Sequence, residues 1–120
     1  MELIYLLTTR SASLSMPTVA LKGLVVFPGM SINFDVGREK SIAALKAAMT
    51  ENQEVFLVTQ KDIRENDPDY DKLYKVGTIA KINHILRIPN SDNIRVSVEG
   101  IRRAKLCSVL LQNNYLVCEI

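Results

Sequence analysis

KVGTIAKINHILRIPNSDNIRVSVEG, Lys75 to Gly100, is the stretch that decides the fold. From Lys75 to Ile88 it reads as one long strand. Val76, Ala80, Ile82, Leu86 and Ile88 line one face, and Gly77, Ile79, Lys81, Asn83, Ile85 and Arg87 line the other. Pro89-Asn90-Ser91-Asp92 then supplies hairpin chemistry. Beyond it Ile94, Val96 and Val98 alternate with Arg95, Ser97 and Glu99, the period of a half-buried strand. Gly100 permits a bulge or a sharp bend. Two long strands joined by a hairpin and bent at one end predict a curled antiparallel sheet.

The flanking sequence extends the same plan. Upstream, Val19, Leu21, Val25, Val26 and Phe27 predict a strand interrupted at Gly23, and Pro28-Gly29 a turn. Ser31 to Val36 alternates, with Ile32, Phe34 and Val36 on the apolar side. Arg38 to Thr50 is the one predicted helix. Ile42, Leu45 and Met49 fall at helical spacing, four alanines add propensity, and Glu39 sits in the first turn, where its charge suits the helix dipole. Glu54 to Val58 is a short continuous apolar run, as in a central strand covered on both faces. Asp62 to Asp71 is polar, contains Pro68 and predicts a surface loop. Downstream, Ile101 to Leu111 and Tyr115 to Ile120 complete the pattern around Gln112-Asn113-Asn114. The expected fold is mostly β (α+β): a small antiparallel barrel or sandwich of six or seven strands with the helix across one opening. Residues 1–16 read as a lead-in segment, in which Leu3 to Leu7 could add a strand or an intersubunit contact. The coherent domain is expected over residues 17–120.

With 120 residues, 48% of them hydrophobic, the chain suits one domain with a real core. The net charge of +2 is too mild for a dedicated nucleic-acid binder. Cys107 and Cys118 stand ten residues apart without a second pair, which fits neither a zinc knuckle nor a disulfide framework; both read as reduced strand residues. No run approaches the roughly 20 apolar residues of a membrane span. The first residues lack a basic, secretory-type leader, so the cytoplasm is the expected location.

A search for chemistry finds little. Gly23 and Gly29 enclose five residues rather than the four of a P-loop, and no lysine follows. There is no nucleophile elbow. Spacing alone leaves a Ser-Lys dyad open, but no serine sits in a glycine-framed turn. His84, the sole histidine, shares its predicted face with Ile82 and Leu86; without a second histidine it reads as a packed or edge residue rather than a metal ligand. The carboxylates from Asp62 to Asp71 lack the glycine of a calcium loop and read as solvated. Arg95, Arg102, Arg103 and Lys105 could form a basic patch. Only 6% of residues are aromatic, however, so stacking platforms for a nucleic acid are weakly supplied.

Four ordered blocks carry a family resemblance. Leu21-Lys22-Gly23-Leu24-Val25-Val26-Phe27-Pro28-Gly29-Met30 resembles the opening motif of the N-terminal domains of Lon-type ATP-dependent proteases. Gly37-Arg38-Glu39-Lys40-Ser41-Ile42-Ala43-Ala44-Leu45 is similar to that family's helix start. Val76 to Ile82 and Val96 to Ala104 resemble two further blocks. The resemblance runs from about residue 17 to the end. It departs from the family at Ala20, where a proline is usual, and at Lys22, where an arginine is usual; residues before Pro17 are unlike the family.

The resemblance implies a PUA-like pseudo-barrel of about six strands. It also implies a non-catalytic domain that recognises unfolded or damaged proteins and contributes to oligomer assembly. The parent would be a hexameric AAA+ serine endopeptidase with a Ser-Lys dyad, needing ATP and Mg. This chain matches none of its ATPase or dyad motifs, so no catalytic, cofactor or metal residue is carried over. A helical continuation would follow Ile120. Expected partners are unfolded proteins and other Lon subunits, with a dimer of the isolated domain left open, nucleic acid weakly supported and no membrane. Recognition of unfolded chains calls for exposed apolar surface or a pairable strand edge. The residues singled out for it are Phe27, Pro28 and Met30 at the turn and Ile79 and Ile85 on the mixed face of the long strand, with core packing as the competing reading. A free-standing Lon-like domain protein and an RNA-binding PUA-like module are the alternative readings.

Overall fold

A computed structural model describes residues 14–111 and 114–120. Among the described residues seven strands and one helix follow in the order β1 (Ser15–Leu21), β2 (Ser31–Val36), α1 (Glu39–Met49), β3 (Glu54–Thr59), β4 (Val76–Arg87), β5 (Ile94–Lys105), β6 (Ser108–Leu111) and β7 (Leu116–Glu119), with a 3-10 turn at Tyr70–Lys72. They form one sheet in the order β2-β5-β4-β3-β1-β7-β6. The predicted hairpin is its longest ladder, and β2 and the helix lie where the sequence predicts them. β1 starts at Ser15, two residues before Pro17. The suggested strand at Leu3 to Leu7 lies outside the described residues.

The sheet departs from the expected antiparallel barrel in two ways. It is mixed, because β1 runs parallel to β3, with Thr18 opposite Phe56 and Leu21 opposite Thr59. It is also open, with β2 and β6 as edges that do not pair with each other. A parallel pair needs a crossover, and residues 22–53, which contain β2 and α1, supply it. The helix therefore lies over β1, flanked by β3 and β7, instead of plugging a barrel mouth.

β1 and β3 are covered on both faces, which explains their continuous apolar runs. On the helix side, Val19, Leu21, Val55 and Leu57 join Leu45, Ala44, Ala48, Ile82, Val96 and Val98 in the larger core. On the other side Met16, Ala20, Phe56 and Val58 meet Leu73, Ile79, Leu106, Leu116 and Cys118. The helix approaches the sheet through Ser41, Ala44, Leu45 and Ala48, so two of the alanines that favour the helix also allow its close packing.

Two predicted strand readings are corrected. Val25 to Phe27 is not a strand. That chain crosses the sheet irregularly, and threonine side chains bind its carbonyl groups: Thr59 Oγ1 donates to Leu24 O at 2.7 Å and Thr78 Oγ1 to Val26 O at 2.6 Å. The faces of β4 also change along its length, at one of two shifts in the β4–β5 register. Ile101 is the extra residue beside Gly100, and Asn83 the extra residue between Ile82 and His84. The extra Ile101 moves later side chains of β5 to the opposite face, and the extra Asn83 those of β4. Ile79 and Ala80 are both buried, in different cores, because neighbouring strand residues point to opposite faces and both faces of the sheet are covered there. Leu86, expected inward, is 60% exposed, and Val76 is exposed as well. His84 is exposed and does not share the buried face of Ile82. Cys118 is a strand residue as predicted, whereas Cys107 falls in the break between β5 and β6; both are free thiols.

Candidate functional site

The turn at Phe27-Pro28-Gly29-Met30 is built from the sequence upward. Proline pre-sets φ at the second position and Gly29 takes φ 87° at the third, where an L side chain is strained. Met30 N donates to Phe27 O at 3.0 Å to close it. The turn is clamped to the β5 bulge: Gly29 N donates to Gly100 O and Gly100 N to Met30 O, both at 2.8 Å. Gly100 is buried under the turn, and a Cβ there would stand 2.2 Å from Phe27 O. The Met30 sulfur accepts a hydrogen bond from Phe27 N at 3.2 Å.

The five predicted residues divide between surface and core. Phe27 is 46% exposed and Pro28 is exposed. Met30 is half-buried and packs on the helix-side core, as does Ile85. Ile79 is 2% exposed inside the opposite core, so the packed reading holds for it. Two exposed residues not singled out in the sequence join Phe27. Val25, 49% exposed, and Val76, 52% exposed, line a shallow seam with Phe27, Thr78 and Arg103. Its volume of about 20 Å³ is a single water's worth, so it is a surface rather than a pocket. The Arg103 guanidinium lies 5.2 Å from the Phe27 ring centroid, a cation–π contact that leaves a charge beside the apolar cluster. The only signal for Val25 was its place in a short apolar run between Gly23 and Pro28, which the sequence assigns to a strand.

The basic residues are exposed along β5, where Arg102, Arg103 and Lys105 all reach solvent. Arg95 is committed to Asp35 on β2 at 2.8 Å, and that hydrogen bond holds the Asp35 carboxyl below its ordinary value. The acidic loop after β3 is tied to the sheet by Gln60, whose Nε2 donates to Asp62 O and Glu65 O, both at 2.7 Å. Among the described residues no helix is long and apolar enough to cross a membrane.

Comparison with known proteins shows the family to which the chain belongs. Residues 15–120 match the family model of the ATP-dependent protease La (LON) substrate-binding domain. The Lon protease of Clostridium acetobutylicum is 49% identical over 105 residues, covering 88% of this chain and 13% of that protein. That of Brevibacillus choshinensis is 41% identical over 111 residues, covering 92% and 14%. The chain thus spans about one-seventh of the curated relatives it matches. The N-terminal domain of Mycobacterium avium complex Lon protease superposes with a TM-score of 0.71 at 21% identity, over 89% of this chain and 53% of that one, which is a likeness of fold. On the strength of the family match and these relatives, the chain belongs to the Lon protease N-terminal substrate-binding domain family.

Proposed function

We propose that this domain captures unfolded or damaged proteins for an ATP-dependent Lon serine protease, and that it does so through the surface at Phe27, Pro28, Val25 and Val76. The observation that carries the reading is the clamp on Gly100, which holds the Phe27 ring in solvent when burial would be its cheaper state. Contacts of this kind are weak and tolerant of sequence, as a binder of unfolded chains requires. Several copies around an oligomeric ring would gain avidity. Proteolysis and ATP hydrolysis would belong to other domains of the parent, with ATP and Mg bound there. Contacts with neighbouring subunits and a cytoplasmic location complete the reading.

The test is binding of the chain to a permanently unfolded model protein and to the same protein folded, at two salt concentrations. Preferential binding to the unfolded form that persists in high salt is expected. Equal binding to both forms, or none, refutes capture by this domain alone.

A second reading, RNA binding, is favoured by the exposed row Arg102, Arg103 and Lys105. In that case RNA would bind and be released steeply as salt rises.

A further inference from the structure

The cavity beside the N-terminal end of α1 is separate from the Phe27 surface, with a volume of about 280 Å³. Four segments distant in sequence build it: β1 through Thr18 and Ala20, the helix start from Arg38 to Ser41, the loop at Pro68, and Leu116 of β7. It exists because β7 pairs with β1 only as far as Thr18 opposite Leu116, and among the described residues no strand pairs with the rest of that β1 edge.

Most of the surface lining this space is apolar, and the helix start from Arg38 to Ser41 brings hydrogen-bond donors to it. Arg38 precedes the helix without a side-chain cap, and the first helical hydrogen bond is Ile42 N to Arg38 O, 3.0 Å. The amides of Glu39, Lys40 and Ser41 therefore have no acceptor within the helix. Ser41 is only 6% exposed, lines the cavity, and has no hydrogen-bond partner for its hydroxyl among the described residues. The Arg38 guanidinium donates to Ala20 O and, at 3.4 Å, to Asn66 O. Among the described residues it has no carboxylate within ion-pair distance. Five N–H groups on that side chain leave donors to spare. Burial without an ion-pair partner lowers the Arg38 pKa, with Asp67 opposing the shift from a distance. Two carboxylates stand at the rim. Asp67 is held by Lys40 at 2.8 Å, and Glu39 is exposed. The remaining walls, Ala20, Pro68 and Leu116, are apolar and buried.

Unmet donors at one end and apolar walls at the other call for an anionic acceptor joined to an apolar group. We propose that the cavity receives the C-terminal residue of a polypeptide, its carboxylate on Arg38, Ser41 and the first-turn amides and its apolar side chain against Ala20, Pro68 and Leu116. The helix dipole favours the same charge at this end. Inorganic phosphate would satisfy the donors but leave the apolar walls unused. This inference rests on the reading of the chain as a polypeptide-handling domain, not on the Phe27 surface.

The test is an NMR titration of the 120-residue chain with a short peptide ending in a free leucine, the same peptide ending in an amide, and inorganic phosphate. The free acid should shift the amides of Glu39, Lys40, Ser41, Thr18 and Leu116, and amidation should weaken binding by about tenfold or more, the effect of one charge-assisted contact. Ser41→Ala, which leaves the Arg38 contact with β1 in place, should weaken the free acid alone by a few-fold. Equal affinity for acid and amide, shifts confined to other residues, or phosphate binding as tightly as the peptide would overturn the proposal. Capture of unfolded protein is measured on the same sample. Its loss with the acid-specific shifts intact refutes the surface reading alone, and the reverse result refutes this one alone.

Discussion

Phe27 and Gly100 meet through their backbones, so closely that the carbonyl oxygen of one occupies the space where the other's Cβ would be. This contact joins the exposed turn to the bulge of the longest ladder, making the bulge and the surface one feature. Gly100→Ala should therefore cost about 1–3 kcal/mol, the range for forced overpacking, and displace the turn. Urea denaturation reads the cost, and an unchanged midpoint would mean that the turn moves freely away from β5.

Phe27 and Ile79 should respond in opposite ways to the same chemistry. Ile79→Asp buries a charge without a partner and should cost about 4 kcal/mol or more, enough to unfold a marginal domain. Phe27→Asp should change thermal stability little while weakening capture of unfolded protein. Comparable destabilisation by both would return Phe27 to the core.

The two thiols should separate by reactivity. Cys107 is exposed, whereas Cys118 is buried against β1, and burial raises its pKa despite a hydrogen bond with Thr18. An alkylating reagent at mildly alkaline pH should label Cys107 in the native chain and Cys118 only after denaturation. Because the folded state holds the Cys118 proton more tightly, its contribution to stability is full below the unfolded thiol pKa and is lost as pH rises through the folded value. Alkaline denaturation should therefore shift to higher pH in Cys118→Ala if the smaller side chain packs without loss elsewhere. Rapid native-state labelling of Cys118 would contradict its burial.

The Asp35–Arg95 pair bridges β2 to β5 at the sheet edge. Its hydrogen bond lowers the Asp35 pKa, so the stabilisation is present above the unfolded carboxylate pKa and fades as pH falls through the lower folded value. Both groups are solvent-exposed, and salt should screen the effect. An NMR titration should place the Asp35 midpoint below that of a free aspartate and return it toward the ordinary value in Arg95→Ala. Identical midpoints in the two proteins would show that the pair does not persist in solution.

The sequence revealed periodicity well and interruptions poorly. β2, the helix, the hairpin and the central strand β3 follow from alternation, helical spacing, turn residues and an unbroken apolar run. Gly100 announced one bulge, but Asn83 carried no such mark. Extrapolating one period through β4 therefore put Leu86 inside, whereas Ile79 lies before that bulge and is buried by the second core on the other side of the sheet. The parallel pairing of β1 with β3 has no local signature, because it arises from a crossover of more than thirty residues, 22–53. Phe27 and Pro28 were legible as a turn, but their exposure depends on the backbone contact with Gly100. The Arg38 cavity was not legible at all, since β1, α1, the acidic loop and β7 meet there only in three dimensions.

β1 also has a bearing on synthesis. One of its neighbours, β3, is made soon after it, but the other, β7, spans residues 116–119. On the ribosome the first strand therefore waits for the last of those described. Until Leu116 to Glu119 emerge, one edge of β1 has open hydrogen-bonding groups, and Met16 and Ala20 lack the cover of Leu116 and Cys118. A nascent chain in this state is itself an unfolded polypeptide with a pairable edge, the kind of object the finished domain is proposed to hold.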